Sequence, residues 1–146
     1  LPELKLRLRG DPKPKGSMRA FLPRGSTRPI VTNANPNTKE WEQLVRYAAQ
    51  SDTGDWRLPN RDVPVSVAIE FVIRRPKANK RGGYSTKKPD IDKLARAVLD
   101  GLTGIGYLDD AQVSTLHVTK RYTVDDEWPG AHIHLRLLAP FVPAKA

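Results

Sequence analysis

The sequence predicts an α+β fold: one mixed β-sheet with two main helices packed on it, in the order β-α-β-α-β-β. Three patterns point that way. Leu4, Leu6 and Leu8 alternate with Lys5, Arg7 and Arg9, and Val63, Val65, Val67, Ile69, Phe71 and Ile73 alternate with their neighbours over eleven residues. A period of two is that of a strand with unlike faces. Trp41, Leu44, Val45 and Ala48, and later Ile91, Leu94, Val98, Leu102 and Ile105, instead step by three and four, the spacing of an apolar helix stripe. Strands and helices mixed in this order favour helices laid on a single sheet.

Each element follows from its residues. The opening strand, around Leu4 to Leu8, is short and half solvated. From Gly10 to Pro36 proline, glycine and the basic residues Lys13, Lys15, Arg19, Arg24 and Arg28 replace helix formers, which predicts a long basic loop with a small hairpin. Asn37 and Glu40 have the spacing of a capping box, and the first helix should run from there to about Gln50. The eleven-residue strand ends in "RRPKANKRGGYSTKKP", a second basic loop around Gly82, Gly83 and Tyr84. Asp90 to about Gly104 is the second helix, ended by glycines. Val113 to Val124 and Ala131 to Leu138 read as two strands joined by the acidic hairpin turn "DDEWPG".

The 146 residues fit one domain, 1–146, large enough for a single core. Lys and Arg number 25 against 16 Asp and Glu, a net charge of +9, which draws in a polyanion and makes nucleic acid the leading partner. With no cysteine there is no disulfide framework, thiolate zinc site or cysteine nucleophile, which suits the cytosol. No apolar run reaches the roughly 18 residues of a membrane span, so no membrane partner is expected.

Against this basic background, "KKPDIDKLARAVLDGLTGIGYLDDAQV" collects aspartates. Residues two apart on a helix point about 200° apart, so Asp90 and Asp92 can converge only at a helix mouth, where Pro89 holds the preceding residue extended. Asp109 and Asp110 begin the next strand and are expected to return towards that mouth. Carboxylates crowded about 4 Å apart repel by ~4 kcal/mol at an effective dielectric near 20. A cation relieves this, and an all-oxygen set favours Mg2+ or Mn2+. The chemistry implied is phosphodiester hydrolysis. A plainer reading stands beside it: Asp90 and Asp92 cap a helix and complement its dipole, and Asp109 and Asp110 make a turn. Asp92, Arg96 and Asp100 share the helix's polar face, with Asp100 read as the ion-pair partner of Arg96. His117, His132 and His134 form a weaker, conceivable three-histidine site. Glu70 is a possible extra ligand, and Tyr84 and Phe21 are possible stacking residues.

Lys88 to Val113, "KPDIDKLARAVLDGLTGIGYLDDAQV", resembles the signature of the RusA family of Holliday-junction resolvases, in which Asp-x-Asp, an Ala-rich helix and an Asp-Asp-x-Gln turn follow a proline or basic residue. "GDPKPKGSMRAF" and the long strand ending in basic residues are similar more loosely. The resemblance implies a small homodimeric nuclease of RusA-like fold that needs Mg2+, with Mn2+ as substitute, and nicks opposed strands of a four-way DNA junction. It would act in the cytoplasm of a bacterial or phage-infected cell, at the nucleoid. By position, Asp90, Asp92 and Asp110 match the catalytic, metal-binding carboxylates, with Asp109 as a neighbouring ligand. Arg96 stands where the family carries lysine, and Lys93 where it carries asparagine. A guanidinium can stabilise charge but cannot shuttle a proton. Lys13, Lys15, Arg19, Arg24, Arg74, Arg75, Lys77, Lys80, Arg81, Lys87, Lys88 and Lys93 are the candidate DNA contacts. Two other readings remain: a non-catalytic basic junction-binding protein, and another Mg2+-dependent phosphohydrolase.

Overall fold

The computed structural model describes residues 2–15, 18–21, 30–33 and 38–138, the second and third of these as backbone. Strand β1 (Glu3–Arg9) is followed by the hairpin β2 (Met18–Phe21) and β3 (Ile30–Asn33), then α1 (Thr38–Ser51), β4 (Val65–Ile73), α2 (Ile91–Leu102), a 3-10 turn (Asp110–Gln112), β5 (Val113–Tyr122) and β6 (Gly130–Leu137). The small hairpin expected in the first basic loop is β2–β3. Asn37, Arg24 and Arg28 lie outside the described residues, as do the side chains of Arg19 and Phe21.

Four strands form a mixed sheet in the order β1-β6-β4-β5. The expected hairpin between β5 and β6 is not formed: β6 lies between β1 and β4, antiparallel to both, while β5 pairs parallel to β4 on the outer side. Burial explains the order. Val65, Val67, Ile69 and Phe71 fill one face of β4, and Ser66 and Val72 are buried on the other, so β4 needs neighbours on both sides. By contrast Ser114, Thr115, Leu116 and His117 of β5 are exposed, which suits an edge. A parallel β4–β5 pair also requires a crossover, and α2 provides it.

Both helices cover one face of the sheet. Leu4, Leu6 and Leu8, the odd residues of β4, and Ala131, Ile133 and Leu135 of β6 form the core with Trp41, Val45 and Ala49 of α1 and Leu94, Ala97, Val98 and Leu102 of α2. Leu44, placed in the helix stripe by its spacing, is instead at the solvent margin, 37% exposed. The helices meet closely at Gly101, where an added Cβ would lie 3.0 Å from Val45 Cβ and 3.1 Å from the Glu42 carbonyl, so a larger residue would have to push Val45 or the α1 backbone back by a few tenths of an ångström. Past α2, Gly104 turns the chain at φ +90°.

Residues 11–15 strap the two helices together. Thr38 Oγ1 donates to the Pro14 carbonyl at 2.6 Å, the Lys15 amide donates to the Lys93 carbonyl at 2.9 Å, and Lys15 Nζ reaches Glu42 at 2.9 Å and Asp100 at 3.1 Å. Burial lowers the Lys15 pKa, but its hydrogen bonds and charge contacts with Glu42 and Asp100 outweigh this and hold it above the ordinary lysine value. Asp100 is therefore paired by Lys15 from across the strap, not by Arg96 as its spacing had suggested. Lys15→Met leaves two carboxylates facing each other without their cation. It should lower stability by about 1–2 kcal/mol in urea titration.

Candidate active site

The N-terminal mouth of α2 is built from a turn. Lys88–Pro89 is a cis peptide bond, and Asp90 follows in extended conformation (φ −67°, ψ 138°) at the N-cap position. Its carbonyl accepts from the Leu94 amide at 3.1 Å, so the backbone starts the helix, yet its carboxylate makes no capping hydrogen bond. The capping explanation of this residue thus accounts for its backbone and not for its charge. The carboxylate is half exposed, with Lys93 Nζ 3.9 Å away. Asp92 is exposed in the first turn, where the helix dipole favours an anion. A cavity of about 370 Å³ opens here, lined by Pro14, Lys15, Lys88, Pro89, Asp90 and Lys93.

Lys120 of β5, which the sequence reading missed, fixes this turn from below. Its Nζ donates to the Lys87 carbonyl at 2.5 Å and the Pro89 carbonyl at 2.7 Å. The register offered a clue: Leu116, Val118 and Lys120 pair with Val67, Ile69 and Phe71 and so share the helix-covered face. A lysine on that face needs acceptors nearby. Lys120→Met frees both carbonyls and should loosen the Lys87–Asp90 turn, read as faster amide hydrogen exchange at the start of α2 with the melting temperature little changed.

The second acidic corner is a separate structure. Asp109 accepts from the Ala111 amide at 2.9 Å and caps the 3-10 turn in a capping box with Gln112, whose Oε1 accepts from the Leu108 and Asp109 amides. Buried Gln112 also donates to the Asn60 and Val63 carbonyls at 2.8 and 3.1 Å, pinning the corner to the turn before β4. Asp109, 3.7 Å from Arg61, is thus largely a cap. Asp110 is not so used. Desolvation, the adjacent Asp109 carboxylate and Asp100 push its carboxyl above the usual range, and Arg96 pulls it back. Beneath them burial, helped by Asp110 and Asp100, pushes the Tyr107 hydroxyl far up, so it remains a donor, to the Leu99 carbonyl at 2.7 Å.

The two corners do not converge within one chain, contrary to the expectation that Asp109 and Asp110 return to the helix mouth. Because β5 is parallel to β4, it starts by the C-terminal end of α2 and reaches the mouth only at Lys120. Val113 to Lys120 is seven strand steps, about 23 Å at roughly 3.3 Å per residue. Among the described residues no group of three or more His, Cys, Asp or Glu is placed to hold a metal.

A cavity of about 590 Å³ opens on the helix-free face of the sheet, away from Asp90, Asp92, Asp109 and Asp110. His117 and His134 flank Ala68 on opposite sides, and His132 pairs with Glu70. His132 faces Glu70 at 3.7 Å and His134 faces Glu3 at 3.3 Å, so the three histidines do not form a common site. Glu70 is also held by Arg121, which binds Glu127 at 2.6 Å and lowers that carboxyl to about pKa 2. Of the basic candidates, Lys13 is half-buried, Lys15 is engaged as described, and Arg74 lies 3.6 Å from Asp11. Arg75, Lys77, Lys80, Arg81, Lys87 and Lys88 are exposed, and Arg96 is exposed on α2 beside Asp110. No helix among the described residues is long and apolar enough to cross a membrane.

No curated protein matches the chain. Residues 11–136 match the family model described as endodeoxyribonuclease RusA, a span that includes the strap, both helices, both acidic corners and the basic loop between β4 and α2. The chain belongs to the RusA family of endodeoxyribonucleases, the Holliday-junction resolvases.

Proposed function

We propose that this protein is a Mg2+-dependent, structure-selective endonuclease that resolves four-way DNA junctions by paired symmetric nicks in recombination or repair, acting in the cytoplasm at the nucleoid. The observation that carries this reading is the α2 mouth, where the Asp90 carboxylate makes no capping hydrogen bond and stands beside a cavity lined by Lys15, Lys88 and Lys93. A carboxylate next to lysines suits a phosphate and a hard cation bound together. Asp90 and Asp92 would hold Mg2+ at the mouth, since a Mg2+ site uses few carboxylates and keeps water and substrate phosphate as further ligands; Asp110, at the far end of α2 in the same chain, would join such a site only from the second subunit of a dimer. When bound, the ion supplies a nucleophilic hydroxide near neutral pH and offsets charge on the phosphorus.

The chain's own groups do the rest. Lys88 and Lys93 place a phosphate at the mouth. Arg96 offers a fixed fork of donors to a phosphate oxygen and stabilises developing charge without giving up a proton. Arg75, Lys77, Lys80, Arg81 and Lys87 grip the junction arms through backbone phosphates. Two nicks of equivalent polarity require two sites related by a two-fold axis, which is the physical reason for a homodimer.

The test compares a labelled four-way junction, a linear duplex of the same sequence and mononucleotides, each with Mg2+. The junction alone should be nicked. Hydrolysis of mononucleotides with the junction intact would instead mark a general phosphohydrolase. Junction affinity should also fall on the order of 10³-fold between 50 and 200 mM salt if six or more phosphates are neutralised. A flat salt response would remove the basic loop from the binding surface.

A further inference from the structure

We infer that the helix-free face of the sheet is a nucleotide-binding site, with a planar base seated over Ala68 between His117 and His134 and its phosphate held by Lys5 and Arg7. Strand register builds this site. Two neighbouring rungs cross all four strands: Lys5, His134, Ala68 and His117 in one, Arg7, His132, Glu70 and Thr119 in the next. On β1, β4 and β6 these residues alternate with the core residues Leu4, Leu6, Val67, Ile69, Ile133 and Leu135, so they face away from both helices. Together they line the cavity of about 590 Å³, a size usual for small-molecule sites.

Shape and charge both select the ligand. Ala68 is the small member of its rung, and it leaves a slot between the imidazoles of β5 and β6. A strand spacing of about 4.8 Å sets those imidazoles on the order of 10 Å apart. Interacting rings prefer centroids about 4.5–7 Å apart, so a planar ring over Ala68 meets both. The histidines therefore stand as walls and do not converge on one point as a metal would require. Tyr84 closes the β5 side: it pairs directly with Arg121, and opposed residues share a face, so its ring, 76% exposed, lies on this side of the sheet. Unpaired bases stack on such rings. On the strands of this face Lys5, Arg7, Arg9, Arg121 and Arg136 outnumber Glu3 and Glu70. That balance suits a phosphate, whereas the core of a protein interface is depleted in charge. A free mononucleotide and an unpaired strand offer the same chemistry. The cavity includes neither the Asp90 mouth nor the Asp109–Asp110 corner, so the site is separate from the one assigned to cleavage and stands whether or not the nuclease reading holds.

The test uses the full chain in EDTA, so its outcome is independent of nuclease activity. The chain has 3 histidines and all of them line this cavity, so their imidazole proton signals in NMR report on it directly. Deoxyadenosine monophosphate and a hexadeoxyadenylate strand should each shift these signals saturably. Tighter binding of the strand identifies unpaired DNA as the ligand, and equal binding identifies free nucleotide. Ala68→Leu, which fills the slot without changing charge, and Tyr84→Ala, which removes an exposed ring, should each weaken binding on the order of tenfold. Both variants should keep the wild-type circular dichroism, and Ala68→Leu should keep the wild-type affinity for a four-way junction. Imidazole signals unmoved by either probe, the same shifts from inorganic phosphate alone, or undiminished binding in both variants would each overturn the inference.

Discussion

Asp90→Asn and Asp110→Asn are each expected to slow junction cleavage by about 10²–10³-fold, or ~3–4 kcal/mol in activation free energy, while junction affinity is kept or improved. Asparagine preserves shape and removes the charge that holds a cation. The prediction is clean at Asp90 because its carboxylate makes no capping bond, so the fold has little to lose and the melting temperature should stay put. Asp92→Asn should behave similarly, with a small additional cost from the helix dipole. Asp109→Asn is the contrast, since asparagine caps almost as well as aspartate and the turn should survive with a milder effect on rate. Single-turnover cleavage at saturating enzyme measures all four. Wild-type rates in Asp90→Asn and Asp110→Asn would remove the aspartates from the mechanism.

The second large effect is at Arg96. Arg96→Ala is expected to cost about 10²-fold in rate, and Arg96→Lys appreciably less, because a lysine retains the charge but not the fork. The pH profile gives a separate readout. Asp110 must be ionised to act as a ligand, and burial with the neighbouring Asp109 and Asp100 carboxylates raises its carboxyl from the ordinary value, so the acidic limb of the profile should be displaced towards higher pH. Arg96 is the cation opposing that rise. Its removal should move the limb to higher pH, whereas Asp109→Asn, which deletes a neighbouring negative charge, should move it lower. For stability the sign is the reverse of an ordinary salt-bridged aspartate: a raised folded-state pKa favours the fold at low pH, and that contribution is lost as pH rises through it. A pH profile unchanged by either substitution would contradict the placement of Asp110 between these charges.

Much of this architecture was legible in the sequence because it rests on local periodicity. The alternation of Leu4, Leu6 and Leu8 and the helical stripe of Leu94, Val98 and Leu102 correspond directly to buried positions. What periodicity does not carry is strand order. Two consecutive strands separated by "DDEWPG" look like a hairpin, yet β4, which has buried residues on both of its faces, takes the place between them. That displacement set the error at the site. Once β5 is parallel to β4, the Asp109–Asp110 corner belongs to the far end of α2. The polar partners chosen across the chain were equally invisible: Lys15 takes Asp100, Gln112 reaches back to Asn60 and Val63, and Lys120 clasps the Lys87 and Pro89 carbonyls. The Asp109–Gln112 capping box was legible in its four-residue spacing, but reading that stretch as a plain turn missed it.

The most direct measurement of the central claim is to map the cut sites on a synthetic four-way junction, end-labelled on each strand in turn, with Mg2+ and with EDTA. The account predicts two nicks at symmetry-related positions on opposed strands, present only with the divalent ion and absent in Asp90→Asn and Asp110→Asn under the same conditions. Tight junction binding with no cleavage under Mg2+ or Mn2+ would contradict it and leave a basic junction-binding protein in its place.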